Sequence, residues 1–502
     1  MSTALSDLRE RLGENADLNH AAAVLHWDQN TMMPAHGAAQ RAEALGTLSR
    51  IQHEHFIAAE TGRLLEVSAG EVQSLPDDSD EARLVRQTRR RWEKARRVPS
   101  ELAAEMSKAA SVGYEAWVAA RQANDFSAFA PYLEHNLELT RRYVECFDGY
   151  DVAYDVLLDD YDPGMQTQHV KQLFDELKSE LVPLIARLRD QDVDVAPLHV
   201  SYPIERQRQL VREVVSQMGF NEAGWRLDDT VHPFATSFGR DDVRITTRFQ
   251  ENYFPMGLYG AMHECGHGLY EAGISPSLQR TPIGGGESLA VHESQSRLWE
   301  NLVGRSRAYS QVLAPRLAEL SGGSLRGLQS DVLFKAVNKV SPSLIRIEAD
   351  ETTYGLHIII RFELEQELLG GQLSLSELPE AWNARMREYL GIDVPSDADG
   401  VLQDVHWSSG LIGYFPTYAL GNLIAGQLWE KVQVDIPDLD AQIAAGELGG
   451  LRRWLGQQIH QHGSKFDSNE LLQRVVGGPI AVAPFVRYLK AKLSDVYGVE
   501  LA

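Results

Sequence analysis

The amino-acid sequence predicts a mainly α-helical fold with one small β-sheet. Helical periodicity of the apolar residues covers 4–27, 36–66, 80–97, 100–123, 127–161 and 166–190, with short polar turns between these segments. Between 226 and 250 the side chains alternate in the manner of two or three short strands, which favours a hairpin sheet. Helical periodicity returns at about 256 and continues to the end. We therefore expect a single unit over 1–502, with a helical N-terminal region (1–225), the sheet at 226–250 and a second helical region (251–502).

Composition excludes several classes of protein. The 502 residues carry 71 acidic and 48 basic side chains, a formal net charge of −23. This charge argues against nucleic acid and anionic membrane surfaces as partners, because both attract basic proteins. Only two cysteines are present, Cys146 and Cys265, and the N-terminal stretch has no apolar signal core. We therefore expect a cytoplasmic protein without a disulfide framework.

Local signals predict several boundaries. Pro99, followed by Ser and Glu, is typical of a helix start, and the polar stretch 68–80 is expected to be an exposed loop. The three glycines at 284–286 predict a turn before a helix over 286–306. The apolar stretch 411–429 contains Gly and Pro, so we interpret it as a buried helix rather than a membrane span.

The stretch 263–267, His-Glu-Cys-Gly-His, carries the clearest chemical signal. On a helix, His263 and His267 lie one turn apart on one face, where both can bind the same metal ion. Glu264 follows the first of these histidines, so its carboxylate can reach a water on that metal. Cys265 points away from the ligand face, and we interpret it as a small buried residue.

A third candidate ligand, Glu293, lies 26 residues after His267 on the predicted helix 286–306. Two histidines and one glutamate leave the fourth position of a zinc ion open, which is the arrangement of catalytic sites. Zinc in such a site lowers the pKa of its water and polarises a carbonyl, and Glu264 can act as the general base. These residues predict metal-assisted amide hydrolysis without a covalent intermediate.

Several motifs, in the same order along the chain, resemble those of the M32 metallocarboxypeptidases, the family typified by the Taq carboxypeptidase. Beside 263–267, the motifs are Trp27-Asp28-Gln29-Asn30-Thr31-Met32-Met33-Pro34, His232-Pro233-Phe234, Asp242-Val243-Arg244-Ile245-Thr246, His292-Glu293-Ser294-Gln295, Ile345-Arg346-Ile347-Glu348-Ala349-Asp350 and Gly400-Val401-Leu402-Gln403-Asp404-Val405-His406-Trp407. The resemblance implies a large, saddle-like, groove-type zinc peptidase with a small sheet beside the active-site helix. It also implies removal of C-terminal residues from peptides with broad specificity, Zn²⁺ as the usual ion with Co²⁺ or Mn²⁺ as alternatives, and a homodimer.

Within this resemblance, a guanidinium is needed to bind the terminal carboxylate of the substrate. Arg346 is the first candidate and Arg244 the second, and the alternative for each is a structural ion pair. His406, with Tyr418 or Tyr414, is expected to stabilise the oxyanion. Tyr418 is slightly preferred, and a buried structural tyrosine is the alternative.

His232 precedes a proline, which favours extended backbone. This segment is expected either to align a peptide by strand addition or to serve the fold alone. Some groove-type zinc peptidases carry an Asp four residues after the downstream Glu ligand, where this chain has Arg297. A carboxylate that orients a ligating histidine must then come from elsewhere, and Asp350 is the candidate.

Two other functions remain open. One is an endo-acting or dipeptidyl zinc oligopeptidase on the same groove, and the other is a non-catalytic peptide-binding protein. The presence of Glu264 favours a catalyst, because a binding protein needs no proton acceptor beside the metal.

Overall fold

The computed structural model describes residues 3–286 and 288–501, and its architecture is mainly helical, as the periodicity predicts. These residues form twenty α-helices: α1 (Ala4–Thr31), α2 (Ala38–Ile57), α3 (Ala59–Val72), α4 (Asp80–Arg97), α5 (Ser100–Ala123), α6 (Phe126–Val144), α7 (Ala153–Tyr161), α8 (Thr167–Leu188), α9 (Ile204–Met218), α10 (Phe254–Gly273), α11 (Leu289–Arg297), α12 (Arg307–Leu320), α13 (Ser330–Val337), α14 (Glu351–Leu369), α15 (Leu378–Arg385), α16 (Pro416–Asp435), α17 (Leu439–Ala444), α18 (Gly449–Gln458), α19 (Ser468–Val475) and α20 (Ala483–Tyr497). Helices α11 and α15 each continue into a π-helical segment, Leu298–Val303 and Met386–Leu390.

The predicted helix boundaries are partly correct. Helix α5 begins directly after Pro99, as expected. The predicted segment 36–66 is divided at Ala58, whose ψ of 150° is extended. Helix α3 continues into the predicted loop 68–80 and ends at Val72, because Ser68 and Val72 are buried on its inner face. Burial against other helices thus extends α3 beyond its local polarity.

A three-stranded sheet occupies the predicted region, with β1 at Trp225–Asp229, β2 at Ala235–Ser237 and β3 at Val243–Thr247. The order is β1-β3-β2, so β3 is central and β2 is an edge strand. Strands β2 and β3 form the expected antiparallel pair, with Ala235 opposite Ile245. Strand β1 instead runs parallel to β3, with Trp225 opposite Val243, so the sheet is more than a hairpin.

The chain divides into two compact units, each built from separate segments. The first unit contains the described residues up to Arg96, Asp194–Val337 and Leu428–Pro479. The second contains Arg97–Val193, Asn338–Gln427 and the described residues from Ile480 onward. Our expectation of one functional unit over the whole chain stays a prediction.

The apolar stretch 411–429 enters α16, most of which is buried, as expected. Among the described residues, no helix combines the length and the apolar character needed to cross a membrane.

Helix α10 is the central element of the first unit, and two glycines allow its neighbours to approach closely. A Cβ atom on Gly266 would lie 2.7 Å from the backbone oxygen of Gln295 in α11. A Cβ atom on Gly268 would lie 2.5 Å from the ring of Trp225 in β1. Helix α10 is therefore held between α11 on one side and the sheet on the other.

Candidate metal centre

Three side chains of the first unit converge as the sequence predicts. His263 and His267 lie on α10, and Glu293 lies on α11. The Nε2 atoms of His263 and His267 are 3.6 and 3.5 Å from Oε2 of Glu293. One possible ligand atom from each of the three residues lies within 4.8 Å of the other two. Two imidazole nitrogens and one carboxylate oxygen form a donor set that suits zinc. The residues present therefore fit a divalent metal ion.

Arg297 stands where some groove-type zinc peptidases carry an Asp, and it orients Glu293 directly. Its Nε donates to Oε1 of Glu293 at 2.6 Å, which leaves Oε2 facing the two imidazoles. The hydroxyl of Ser296 also donates to Oε2, at 3.2 Å. Burial opposes the charge of Glu293, but Arg297 and His263 hold the pKa of Glu293 below its usual range. Glu293 is therefore a carboxylate at neutral pH.

The carboxylate that orients His263 is Glu300, not Asp350. Oε2 of Glu300 lies 2.9 Å from Nδ1 of His263, and Arg305 donates to the other oxygen at 3.0 Å. Asp350 instead caps α14, where it accepts from the backbone N–H of Thr352 at 2.9 Å.

His267 is held by a second histidine rather than by a carboxylate. Nδ1 of His267 is 2.6 Å from Nδ1 of His292, and Nε2 of His292 is 2.9 Å from Oε1 of Glu271. His292 belongs to a motif that the sequence analysis singled out, but it received no role there. Glu271 was missed, although it follows His267 by one turn of α10.

Glu264 lies on α10 with 7% of its surface exposed. Burial raises the pKa of Glu264 to about 7, His263 opposes this rise, and the carboxylate of Glu293 adds to it. A carboxyl group with this pKa can accept and release a proton near neutral pH.

Arg346 lies in the second unit, where it forms an ion pair. Its Nε and Nη2 donate to Oδ1 of Asp404 at 3.0 and 2.8 Å, and its Nη1 donates to the hydroxyl of Tyr354 at 3.0 Å. Arg361 donates to the other oxygen of Asp404 at 2.6 Å. Burial opposes the charge of Asp404, yet the two guanidinium groups hold the pKa of Asp404 below its usual range. The ion pair considered as the alternative for Arg346 is therefore present.

His406 and both candidate tyrosines lie together in the second unit. Nε2 of His406 is 3.4 Å from the hydroxyl of Tyr418, and its ring centroid is 5.3 Å from that of Tyr414. Burial lowers the pKa of His406 to about 3, with Asp404 opposing and Arg346 adding to the shift. The imidazole is therefore neutral at pH 7, with one N–H to donate.

Arg244 and His232 lie at the sheet. Arg244 in β3 donates to Asp242 at 3.0 Å, and its guanidinium lies over the ring of Trp27 at 4.3 Å. His232 is exposed in a bend, and strand β2 begins three residues after it, at Ala235. The hydroxyl of Thr246 donates to the backbone oxygen of Phe234 at 2.9 Å, which fixes the start of edge strand β2.

Two histidines one turn apart on a buried helix, with a glutamate from the next helix, define the class of helical metallopeptidases. The model of one family, Carboxypeptidase Taq (M32) metallopeptidase, matches residues 7–493, and the chain belongs to this family. The chain is 41% identical to thermostable carboxypeptidase 1 of Thermus thermophilus over 99% of both chains. It is 36% identical to carboxypeptidase 1 of Bacillus subtilis, with 98% of this chain and 97% of the relative covered.

Solved structures show the same fold. The M32 carboxypeptidase from Deinococcus radiodurans R1 superposes with a TM-score of 0.96 at 39% identity, covering 99% of this chain and all of that one. The Pyrococcus furiosus carboxypeptidase structure gives a TM-score of 0.95 at 35% identity, with 98% and 99% covered. The expected fold class and family are thereby confirmed.

Proposed function

We propose that His263, His267 and Glu293 bind one divalent ion in this metal-dependent carboxypeptidase, with zinc preferred and cobalt or manganese as alternatives. One observation carries the proposal, namely the convergence of the two Nε2 atoms on Oε2 of Glu293. A bound ion at this place supplies Lewis acidity toward a peptide carbonyl and lowers the pKa of a water molecule.

Glu264 is proposed as the general base. Its carboxylate accepts a proton from the attacking water, whose oxygen forms the new bond to the scissile carbonyl carbon. As the C–N bond breaks, Glu264 returns the proton to the leaving amine. Its place beside His263 on the buried face of α10 supports this assignment.

For the terminal carboxylate of the substrate we propose Arg346, with Arg244 as the second candidate. A guanidinium has five N–H donors, so Arg346 can donate to Asp404, which orients it, and still donate to a substrate carboxylate. The ion pair of Arg346 with Asp404 is itself neutral overall. Arg361 adds a second positive charge to Asp404, and this excess favours an anionic ligand. Arg244 stays the second candidate, and its guanidinium pairs with Asp242 and lies over two aromatic rings.

His406 and Tyr418 are proposed to donate hydrogen bonds to the oxyanion of the tetrahedral intermediate, with Tyr414 as the alternative to Tyr418. Their support is the contact between Nε2 of His406 and the hydroxyl of Tyr418, together with the neutral state of the imidazole. Neutral donors of this kind stabilise developing negative charge without being consumed by an ion pair.

Edge strand β2 is proposed to align the peptide by strand addition, with His232 at its entrance. Its outer backbone groups are available for pairing because β2 is bonded to β3 on one side only. Backbone hydrogen bonds do not distinguish one side chain from another, which agrees with the broad substrate specificity expected for the enzyme.

The reaction is tested with an N-blocked tripeptide. A carboxypeptidase releases single residues from the free C-terminus and leaves the C-terminally amidated peptide intact. Equal cleavage of the amidated peptide would support the endo-acting alternative, and release of dipeptides would support the dipeptidyl one. A homodimeric state and a cytoplasmic location stay predictions.

The role of Glu264 is tested by Glu264→Gln, which keeps the shape of the side chain and removes the proton acceptor. We expect retained zinc, measured by elemental analysis, and a loss of kcat of about 100-fold or more, the usual contribution of a general base. Undiminished hydrolysis by the variant would contradict the assignment, and loss of zinc in parallel would make the effect one of metal binding. A chain that binds zinc but never hydrolyses peptides would support the non-catalytic alternative.

A further inference from the structure

We propose that His292 and Glu271 form a positioning relay that holds His267 in the tautomer required for metal binding. This inference rests on the proposed metal site at His263, His267 and Glu293. All members of the relay lie in the first unit, on α10, on α11 and at the end of β2.

The tautomers follow from which nitrogen faces the metal site. Nε2 of His267 faces Glu293 at 3.5 Å, so this nitrogen must be free of a proton to bind a metal. A neutral imidazole then carries its proton on Nδ1, which donates to Nδ1 of His292 at 2.6 Å. His292 in turn carries its proton on Nε2 and donates to Oε1 of Glu271 at 2.9 Å.

Glu271 ends the relay as a carboxylate that only accepts. Its Oε1 also accepts from the backbone N–H of Gly286 at 2.9 Å, and its Oε2 accepts from the hydroxyl of Ser237 at 3.2 Å. Burial disfavours the charged carboxylate, but His292 first, and then the Gly286 N–H and the Ser237 hydroxyl, hold the pKa of Glu271 below its usual value. An ionised Glu271 cannot donate, so it fixes Nε2 of His292 as the donor in the hydrogen bond between them.

The two metal-binding histidines are therefore supported differently. His263 donates directly to Glu300, whose charge is shared with Arg297 and Arg305. His267 reaches its carboxylate only through the imidazole of His292. The relay also connects His267 to Ser237, the last residue of edge strand β2.

Packing fixes the relay in place. The ring of His292 lies against that of Tyr270, with 5.1 Å between the centroids. A Cβ atom at Gly286 would lie 2.5 Å from Cδ2 of His292 and 3.0 Å from Oε1 of Glu271. At Gly285, a Cβ atom would meet nothing within 4 Å. Gly286 is therefore the glycine of the 284–286 stretch that the relay requires, and Gly285 is its matched control.

The experiment measures zinc affinity by chelator competition in the full-length protein, and the visible spectrum of the cobalt-loaded protein. We expect His292→Leu and Gly286→Ala to weaken zinc binding about 10- to 100-fold, as loss of an orienting partner does elsewhere, and to alter the cobalt spectrum at saturation. Gly285→Ala should match the wild type in both measurements. His292→Asn, whose side-chain oxygen can still accept from His267, should recover some of the affinity lost in His292→Leu.

Two results would overturn the relay. One is wild-type zinc affinity and cobalt spectrum in His292→Leu, which would leave the proposed metal site intact. The other is equal weakening in Gly285→Ala and Gly286→Ala, which would make the effect one of the loop alone. If the wild-type protein binds no zinc or cobalt, the proposed function fails together with the relay. Glu271→Gln, which retains an acceptor oxygen, covers the case in which a variant at 292 or 286 does not fold.

Discussion

Gly266 lies between the two histidines of α10, and its replacement by alanine is predicted to separate the proposed metal ligands. A Cβ atom there would lie 2.7 Å from both the backbone oxygen of Gln295 and the Cα atom of Ser296, where ordinary contact begins at 3.4 Å. Both opposing atoms are backbone, so no flexible side chain can move aside. Helix α11 must therefore shift away from α10 by about 0.7 Å, and Glu293 shifts with it.

The magnitude follows from two opposing effects on stability. Overpacking of this kind costs about 1–3 kcal/mol, and the better helix propensity of alanine returns about 1 kcal/mol. The net loss in the free energy of unfolding of the metal-free protein should therefore be at most about 2 kcal/mol. Metal affinity should suffer more, because metal sites tolerate displacements of only about 0.2 Å.

The assay combines urea unfolding of the metal-free protein with chelator competition for zinc. Gly456→Ala in α18 serves as the control, since a Cβ atom there meets nothing within 4 Å and should stabilise the protein by about 0.5–1 kcal/mol. Gly266→Ala should fold and bind zinc at least about 10-fold more weakly. Wild-type zinc affinity in a folded Gly266→Ala variant would refute the close packing of α10 on α11.

Two further predictions concern buried charges of the second unit. Asp404→Asn should lower the free energy of unfolding, measured with urea, by about 3–5 kcal/mol, because Arg346 and Arg361 would lose their shared carboxylate. A loss below about 1 kcal/mol would contradict the ion pair. Burial raises the pKa of Glu365 from 4.5 to about 7, so folding favours the protonated carboxyl group. The protonated group therefore stabilises the folded protein at low pH, and this stabilisation is lost as the pH rises from 4.5 to 7. The free energy of unfolding of the wild type relative to Glu365→Gln should thus fall on the order of 2–3 kcal/mol between pH 4.5 and 7, and a rise would contradict the assignment.

The sequence predicted the fold class and the pairing of His263 with His267 on one helix face because both depend on local periodicity. His263 and His267 share a helix face by spacing alone, and Glu293 was found from its place on the next helix. The parallel pairing of β1 with β3 was not predicted, because a short strand carries no local signal for its direction. The end of α3 at Val72 was missed for a similar reason, since burial against other helices decides it.

The hydrogen-bond partners of the proposed metal ligands were the least predictable feature of the site. Glu300 lies in a π-helical segment, and the pairing of His292 with His267 joins two helices across 25 residues. Such contacts depend on how α11 packs on α10, and local sequence patterns do not specify that packing. The ion pair of Arg346 with Asp404 likewise joins residues 58 apart. The sequence could therefore not decide whether Arg346 forms a structural ion pair or is free to bind substrate.

The most direct test of the metal-dependent mechanism is a titration of zinc into chelator-treated protein while release of the C-terminal residue from an N-blocked tripeptide is measured. We predict negligible release without metal, a linear rise as zinc is added, and a plateau at one zinc ion per chain. Full release by the chelator-treated protein, or the same zinc-dependent rise in a His267→Ala variant, would contradict the assignment of His263, His267 and Glu293 as the metal centre.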